Sequence, residues 1–258
     1  MPSSNPAFRN MNKVLDAQRA AAPSSEYLQN IYDQPAYQAP PAERGLTVDD
    51  VVAKTATVLG VAIVAGAITA WTGAYQLAIP ALVVGLVLSL IVIFKQSTNP
   101  ALILGYAVAE GVLLGAITGV FENRYNGIAI QAVLGTLGVF VGMLVVYKTG
   151  AIRVTPKFTK MIIGAMIGLV IMMVGNLLIS MFGGVSPLRD GGTLAIVFSI
   201  VCIAIAAFSF LLDFEAIDQA IKAGAPAKTS WYFAFGLMVT LVWLYLEILR
   251  LLGYMRSE

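Results

Sequence analysis

The sequence predicts an all-α polytopic membrane protein built as a seven-transmembrane-helix bundle. Of its 258 residues, 59% are hydrophobic and only 12% are charged, about half the charge of an ordinary soluble domain. The apolar residues form continuous runs of about 20, the length at which a helix crosses the hydrocarbon core of a bilayer. A transmembrane β-barrel is disfavoured, because its strands would show alternating apolar residues instead.

Residues 1–50 differ from the rest in composition, being rich in Pro, Ala, Ser, Asn and Gln. They show no sustained helical or strand period, which predicts a disordered cytoplasmic N-terminal tail with a short helix near residues 11–21. Its polar character also argues against a cleavable signal peptide. Tyr27, Tyr32 and Tyr37 leave two interpretations open, a solvated tether or a docking segment for a partner.

Residues 51–258 are predicted to form the transmembrane bundle. Turn signals separate its apolar runs, in chain order Gly73, Asn99-Pro100, Asn126-Gly127, Thr155-Pro156, Ser186-Pro187 and Gly224-Ala-Pro226. The predicted spans are 52–74, 77–95, 100–121, 127–148, 158–182, 192–213 and 230–253.

The positive charges predict the orientation of the bundle. With the N-terminus inside, twelve of the 16 Lys and Arg residues lie on the inner side and four on the outer side. The four cations of the loop 148–160 are interpreted as a topology signal against anionic lipid rather than as a ligand site. A re-entrant last span is the open alternative, and it would return Arg256 to the inner side.

Small residues recur at four-residue spacing in three of the predicted spans. This spacing lets helix backbones approach closely in lipid, and we expect it to serve packing within one bundle rather than a homodimer. The residues are Ala107, Gly111, Gly115 and Gly119 in the third span, Gly138 and Gly142 in the fourth, and Gly164 and Gly168 in the fifth.

Composition excludes several classes of function. The net charge of +2 is too small to suggest nucleic-acid binding. Without any histidine, the chain cannot form a Ser-His-Asp triad or a histidine metal site, and its single Cys202 can form neither an internal disulfide nor a cysteine cluster. The signatures of intramembrane aspartyl proteases are missing. We therefore expect no enzyme activity and no cofactor.

Three acids stand in apolar stretches and are the candidate functional residues. An ionised acid at the bilayer centre costs about 2.5–3.5 kcal/mol on insertion scales, so such residues usually face a bundle interior or a watery path. At a rise of about 1.5 Å per residue, Glu110 lies roughly 15 Å from Pro100, near the midplane. Glu247 falls in the outer third, and Asp213 ends the sixth span at the inner boundary. Acids at three depths suit a stepwise path for cations or protons.

Each acid also has a structural interpretation. Glu247 precedes Arg250 by three residues and could form an i,i+3 ion pair. Glu110 follows Tyr106 by four residues, within reach of its hydroxyl. Asp213 begins an acidic cluster of the kind often solvated at helix ends, in which Asp218 and Lys222 have the spacing of an exposed pair.

Three segments resemble the Bax inhibitor (transmembrane Bax inhibitor motif) family of membrane proteins, in particular its bacterial branch. They are residues 106–115 (Tyr-Ala-Val-Ala-Glu-Gly-Val-Leu-Leu-Gly), 211–214 (Leu-Leu-Asp-Phe) and the closing run 235–250. The likeness extends over about residues 50–253. It implies seven helices with the last one central and a calcium leak regulated by pH. Some bacterial members are linked instead to modulation of a membrane AAA protease.

The resemblance also implies a pair of aspartates as the pH sensor, one on each of the last two spans. Asp213 matches the first aspartate, whereas the position of the second is occupied by Thr240. Glu110 has an estimated depth close to that of Thr240, so we predict Glu110 as the substitute partner and Glu247 as the second choice.

The leading functional prediction is a pH-sensitive calcium (cation) leak channel in the plasma or inner membrane. Its partners would be membrane lipid and calcium ions, with Ca²⁺ as the permeant ion contacting Asp213 and Glu110 transiently, since this hard cation prefers oxygen ligands. The alternative is a non-conducting regulator that binds a membrane AAA protease through the tail or the spans.

Overall fold

The computed structural model describes residues 24–26, 29–30, 44–182, 188 and 190–257. This part of the chain contains seven helices long and apolar enough to cross a membrane, which confirms the predicted fold class. They are α1 Val48–Thr72, α2 Ala78–Lys95, α3 Pro100–Arg124, α4 Ile128–Thr149, α5 Pro156–Met181, α6 Thr193–Lys222 and α7 Ser230–Met255. The tail helix predicted near residues 11–21 and the tail tyrosines lie outside the described residues.

Local sequence sets the helix ends close to the predicted turns. The Asn99 side chain accepts the N–H of Ala101, and Pro100 occupies the first turn of α3. Thr155 caps α5 in the same way, accepting the N–H of Phe158. Both combinations satisfy or remove backbone donors that the first turn would leave free.

The last helix is the centre of the bundle, as the family resemblance implied. In α7, 61% of the most apolar window is buried, against 17% in each of α2, α4 and α5. It packs against α1, α3, α4 and α6. Its 26 residues form one continuous helix, about 39 Å long at 1.5 Å per residue. This length fits a complete crossing rather than a re-entrant element.

Glycines bring α1 and α3 into the most extensive helix contact of the described chain. A Cβ added at Gly111 would lie 2.3 Å from the Ala62 carbonyl oxygen, and one at Gly115 would lie 2.2 Å from that of Gly66. No larger residue fits at these two positions without moving a backbone. The small-residue stripe of the third span therefore serves packing within the bundle, as predicted.

The same prediction is wrong for the glycines of α4 and α5. A Cβ built at Gly138, Gly142, Gly164 or Gly168 meets no described atom within 4 Å. These two helices bury little of their surface, so the four glycines lie where no other described helix covers them. The four-residue spacing is the same in all three spans, and only the neighbouring helices decide which stripe is packed.

The sixth helix is longer than predicted. Instead of ending at Asp213, α6 continues to Lys222. Phe214 and Ile217 are buried against the core, so the apolar period of the helix persists through the acidic cluster. Asp213 consequently lies within a packed helix rather than at a solvated end.

Part of the predicted tail belongs to the bundle. Gly45 forms an antiparallel bridge with Pro226, and the Leu46 N–H donates to the Ala225 carbonyl at 2.7 Å. Thr47 then caps α1, which begins at Val48 rather than near residue 52. These contacts tie the start of the first helix to the loop before the central one.

Gly115→Ala is expected to destabilise the bundle by about 1–3 kcal/mol, because overpacking forces backbones apart. The matched control is Gly138→Ala, which makes the same change in a helix interior with open space around it. Thermal denaturation of the purified protein in detergent should show a lower midpoint for Gly115→Ala only. Equal midpoints for the two variants would contradict the assigned packing of α1 on α3.

Candidate functional site

Asp213 and Thr240 face each other across α6 and the central helix α7. The Thr240 hydroxyl donates to Asp213 Oδ2 at 2.8 Å, with Thr240 buried and Asp213 half-buried. Thr240 is the position at which the family resemblance expects a second aspartate. The hydroxyl provides a hydrogen bond to the carboxylate but no charge to oppose or balance it.

Aromatic packing holds this contact in an apolar setting. The Phe140 ring of α4 lies edge-on to Phe210 and Phe214 of α6, with centroids 5.2 and 5.7 Å apart. Leu237 and Leu241 of α7 belong to the same buried cluster. A negative charge at Asp213 is therefore partly removed from solvent, and none of the salt bridges among the described residues balances it. Such an arrangement is costly, and in membrane proteins it commonly marks a functional residue.

A polar pocket of about 340 Å³ lies beyond Asp213, at the end of the bundle where α1 begins. Glu215 accepts the Tyr147 hydroxyl at 3.1 Å and the Gln219 amide at 2.8 Å. Asp218 forms the predicted ion pair with Lys222 at 2.5 Å. The residues that line the pocket include Tyr147, Lys148, Arg153, Glu215 and Asp218.

Glu110 lies at a different helix pair. Its Oε2 is 3.5 Å from the place where a Cβ on Gly85 would stand, so the half-buried carboxylate faces α2. Tyr106 lies one turn earlier on the same helix, and its ring packs against Phe235 of α7 at a centroid distance of 5.0 Å. The structure thus brings Asp213 together with Thr240 and places Glu110 beside Tyr106 and α2.

Glu247 forms the predicted pair with Arg250. The carboxylate is 2% exposed, and its Oε1 accepts Arg250 Nη1 at 2.7 Å. Its Oε2 is buried and has no hydrogen-bond partner within the described residues. Because an adjacent cation balances this acid, its environment differs in kind from that of Asp213.

Sequence reasoning missed a hydroxyl pair between α3 and α7. Thr118 Oγ1 and the Tyr245 hydroxyl are 2.8 Å apart although 127 positions separate them in the chain. No local spacing could have indicated this contact. Glu122 was also missed; it accepts the N–H groups of Gly127 at 2.6 Å and Ala129 at 3.0 Å, which fixes the turn between α3 and α4.

The described residues contain no group of three or more acidic, Cys or His side chains that could hold a metal ion. Asp213 and Glu110, the residues predicted to contact Ca²⁺, stand at separate helix pairs. Each can therefore offer a passing cation one carboxylate, far fewer oxygens than a tightly held Ca²⁺ requires.

Seven membrane-length helices, of which the last is buried against four others, define a polytopic helical membrane protein. A family model described as Bax inhibitor 1 like matches residues 5–257, nearly the whole chain. The chain therefore belongs to this family, which confirms the resemblance carried by α3, α6 and α7. A comparison with curated proteins found no match.

Arg250→Met is expected to destabilise the protein by about 3 kcal/mol, because it leaves Glu247 buried without its cation. Thermal denaturation in detergent would measure the loss. The control is the double variant Glu247→Leu/Arg250→Met, in which neither charge remains and most of the stability should return. A double variant as unstable as Arg250→Met would mean that the arginine acts through packing rather than charge.

Proposed function

We propose that this protein is a pH-sensitive cation leak of the plasma or inner membrane, with Ca²⁺ as the permeant ion. The observation that carries the proposal is Asp213, a half-buried carboxylate held by the uncharged Thr240 between α6 and the central helix. Membrane-embedded acids of this kind commonly mark ion or proton pathways.

The chemistry of Asp213 supports a coupling between protonation and conduction. When ionised, the carboxylate attracts a cation into an apolar region and offers the oxygen ligand that Ca²⁺ prefers. A single carboxylate holds the ion weakly enough for release, as conduction requires. When protonated, Asp213 loses its charge and gains a hydrogen-bond donor, while its carbonyl oxygen can still accept from Thr240. The bond to Thr240 is then no longer charge-assisted and becomes weaker. This change alters the contact between α6 and α7.

The polar pocket beyond Asp213 supports a cytoplasmic opening of the same path. It lies at the end of the bundle where α1 begins, and this is the inner end if the N-terminus is inside, as the distribution of Lys and Arg favours. Lys148 and Arg153 line it beside Glu215 and Asp218. Both signs of charge keep the pocket hydrated, so a cation could approach Asp213 with its water.

The other two acids take different roles in this proposal. Glu110 is the midplane carboxylate and remains the candidate second partner, acting at its own helix pair rather than through direct contact with Asp213. Glu247 is balanced by Arg250 and stabilises α7. A role of Glu110 in the path predicts that Glu110→Gln alters the flux, whereas a purely structural role predicts no change.

The decisive experiment is Ca²⁺ flux into liposomes that contain the purified protein, followed between about pH 5.5 and 8, where buried carboxylates are known to titrate. Wild type should show a pH-dependent flux. Asp213→Asn should abolish the pH dependence, because the amide cannot gain or lose a proton there. The matched control is Asp49→Asn, which makes the same change at an exposed acid in the first turn of α1, outside the pocket lining, and should leave the profile unchanged.

Two results would contradict the proposal. If Asp213→Asn retained the wild-type pH profile, the sensor would lie elsewhere. If folded wild-type protein gave no flux above empty liposomes, the leak itself would be ruled out. That result would favour the non-conducting regulator of a membrane AAA protease, and co-purification of a protease with the full chain would then be the measurement to make.

A further inference from the structure

A groove of about 380 Å³ runs between α1 and α4 down to the central helix. Both helices pack against α7, while neither packs extensively against the other in the described chain. The gap between them is closed at its base by α7 and at its side by α3. Its walls include Ile63 and Ala67 of α1 with Val133 and Leu137 of α4, and its floor includes Met238, Leu241 and Tyr245 of α7.

The groove is continuous with the surface that faces the bilayer. Ile63 is 66% exposed, Val133 42% and Leu137 47%, and all three belong to helices of membrane-spanning length. Its base, in contrast, is formed by the buried Met238 and Leu241. An apolar groove of this kind offers water few polar partners, and left empty it would leave its lining atoms without van der Waals contacts on one side. The medium available to fill it is lipid hydrocarbon.

One end of the groove carries a polar pair at a defined depth. Thr118 lies about 27 Å along α3 at 1.5 Å per residue, close to the far boundary of a hydrocarbon core of about 30 Å. This is the level of lipid ester groups. The Thr118 and Tyr245 hydroxyls hold two protons, and the bond between them uses one. The second proton can be donated to a carbonyl oxygen.

The arginine at the next level is not part of the groove. Arg124 ends α3 six residues beyond Thr118, which places it about 120° away around the helix axis, and its guanidinium lies over the Tyr125 ring. The groove itself therefore offers apolar walls followed by a hydroxyl donor at ester level, the order of an acyl chain and its ester.

We infer that this groove is a binding site for one acyl chain of a bilayer phospholipid, with its ester carbonyl at the Thr118–Tyr245 pair. The bound chain contacts Met238 and Leu241, which flank Thr240 in α7. Lipid occupancy therefore acts on the helix that carries the Asp213 contact, from its opposite side. The inference does not depend on ion conduction.

Native mass spectrometry of the full chain tests the site. Protein stripped of lipid by detergent exchange is incubated with palmitoyl-oleoyl phosphatidylglycerol, and the retained adducts are counted. Wild type should keep one phospholipid. Ala67→Trp should lose it, because the indole fills the groove. The matched control is Ala204→Trp, which adds the same side chain at an exposed position of α6 outside the groove and should keep the lipid.

Two further variants test the apolar wall and the polar end of the groove separately. Val133→Trp fills it from the opposite wall and should also lose the adduct, which keeps the test informative if Ala67→Trp fails to fold. Thr118→Val/Tyr245→Phe removes both hydroxyls with little change of shape, and it should lower the retained fraction while the protein stays folded in lipid-free detergent.

Three outcomes would overturn the inference. The first is that wild type and the folded groove-filling variants retain the same amount of phospholipid, and the second is that wild type retains none. The third is a tightly held adduct with the mass of a free fatty acid. The last would show that the groove selects a carboxylic acid rather than a phospholipid ester. None of the three bears on the liposome flux, so the two proposals can fail independently.

Discussion

The packing of four helices around α7 is the constraint on which the rest of this structure depends. In a bilayer, lipid tails solvate apolar side chains as well as another helix does, so helices associate through close packing and polar contacts. Glycines supply close packing where α1 meets α3 at Gly66 and Gly115. Hydrogen bonds supply the polar part, from Thr240 to Asp213 and from Tyr245 to Thr118. Each of these bonds joins α7 to a different neighbour.

The acids of the bundle differ in how their charge is balanced. This difference separates the structural role of Glu247 from the functional role proposed for Asp213. Glu247 has Arg250 one turn away on the same helix, so the pair is neutral as a unit and removing either partner alone is costly. Among the described residues, Asp213 is balanced by no cation and accepts a hydrogen bond from the Thr240 hydroxyl. In the proposed leak, its charge responds to a proton or a cation arriving from outside, and this response changes the contact with α7.

The helices that bury little of their surface leave open space beside them, whereas the helices of the core are closely packed. The outward glycines of α4 and α5 face the surroundings of the bundle, and the gap between α1 and α4 exposes the flank of α7 near Met238. The central helix thus has a polar contact on the side of α6 and an apolar groove on the side of α1 and α4. A shift of α7 would change both the contact with Asp213 and the shape of the groove, so the proposed lipid and the proposed proton sensor would be coupled through this helix.

The sequence by itself determined whatever depends on neighbours along the chain. Apolar runs of membrane length determined the seven helices, and Asn99-Pro100 and Thr155-Pro156 determined two helix starts. The three-residue spacing of Glu247 and Arg250 allowed an ion pair, which the structure then showed. The family motifs also indicated that Asp213 and Thr240 occupy corresponding positions on the last two spans.

Only the tertiary structure decided what depends on groups distant in sequence. It extended α6 past Asp213, because Phe214 and Ile217 find a core to pack against. It buried the glycines of α3 while leaving those of α4 and α5 open, although their spacing is identical. It also turned Glu110 toward Gly85 of α2. A helical period gives the direction of a side chain around its own axis, but which helix stands in that direction is set by the packing of the whole bundle.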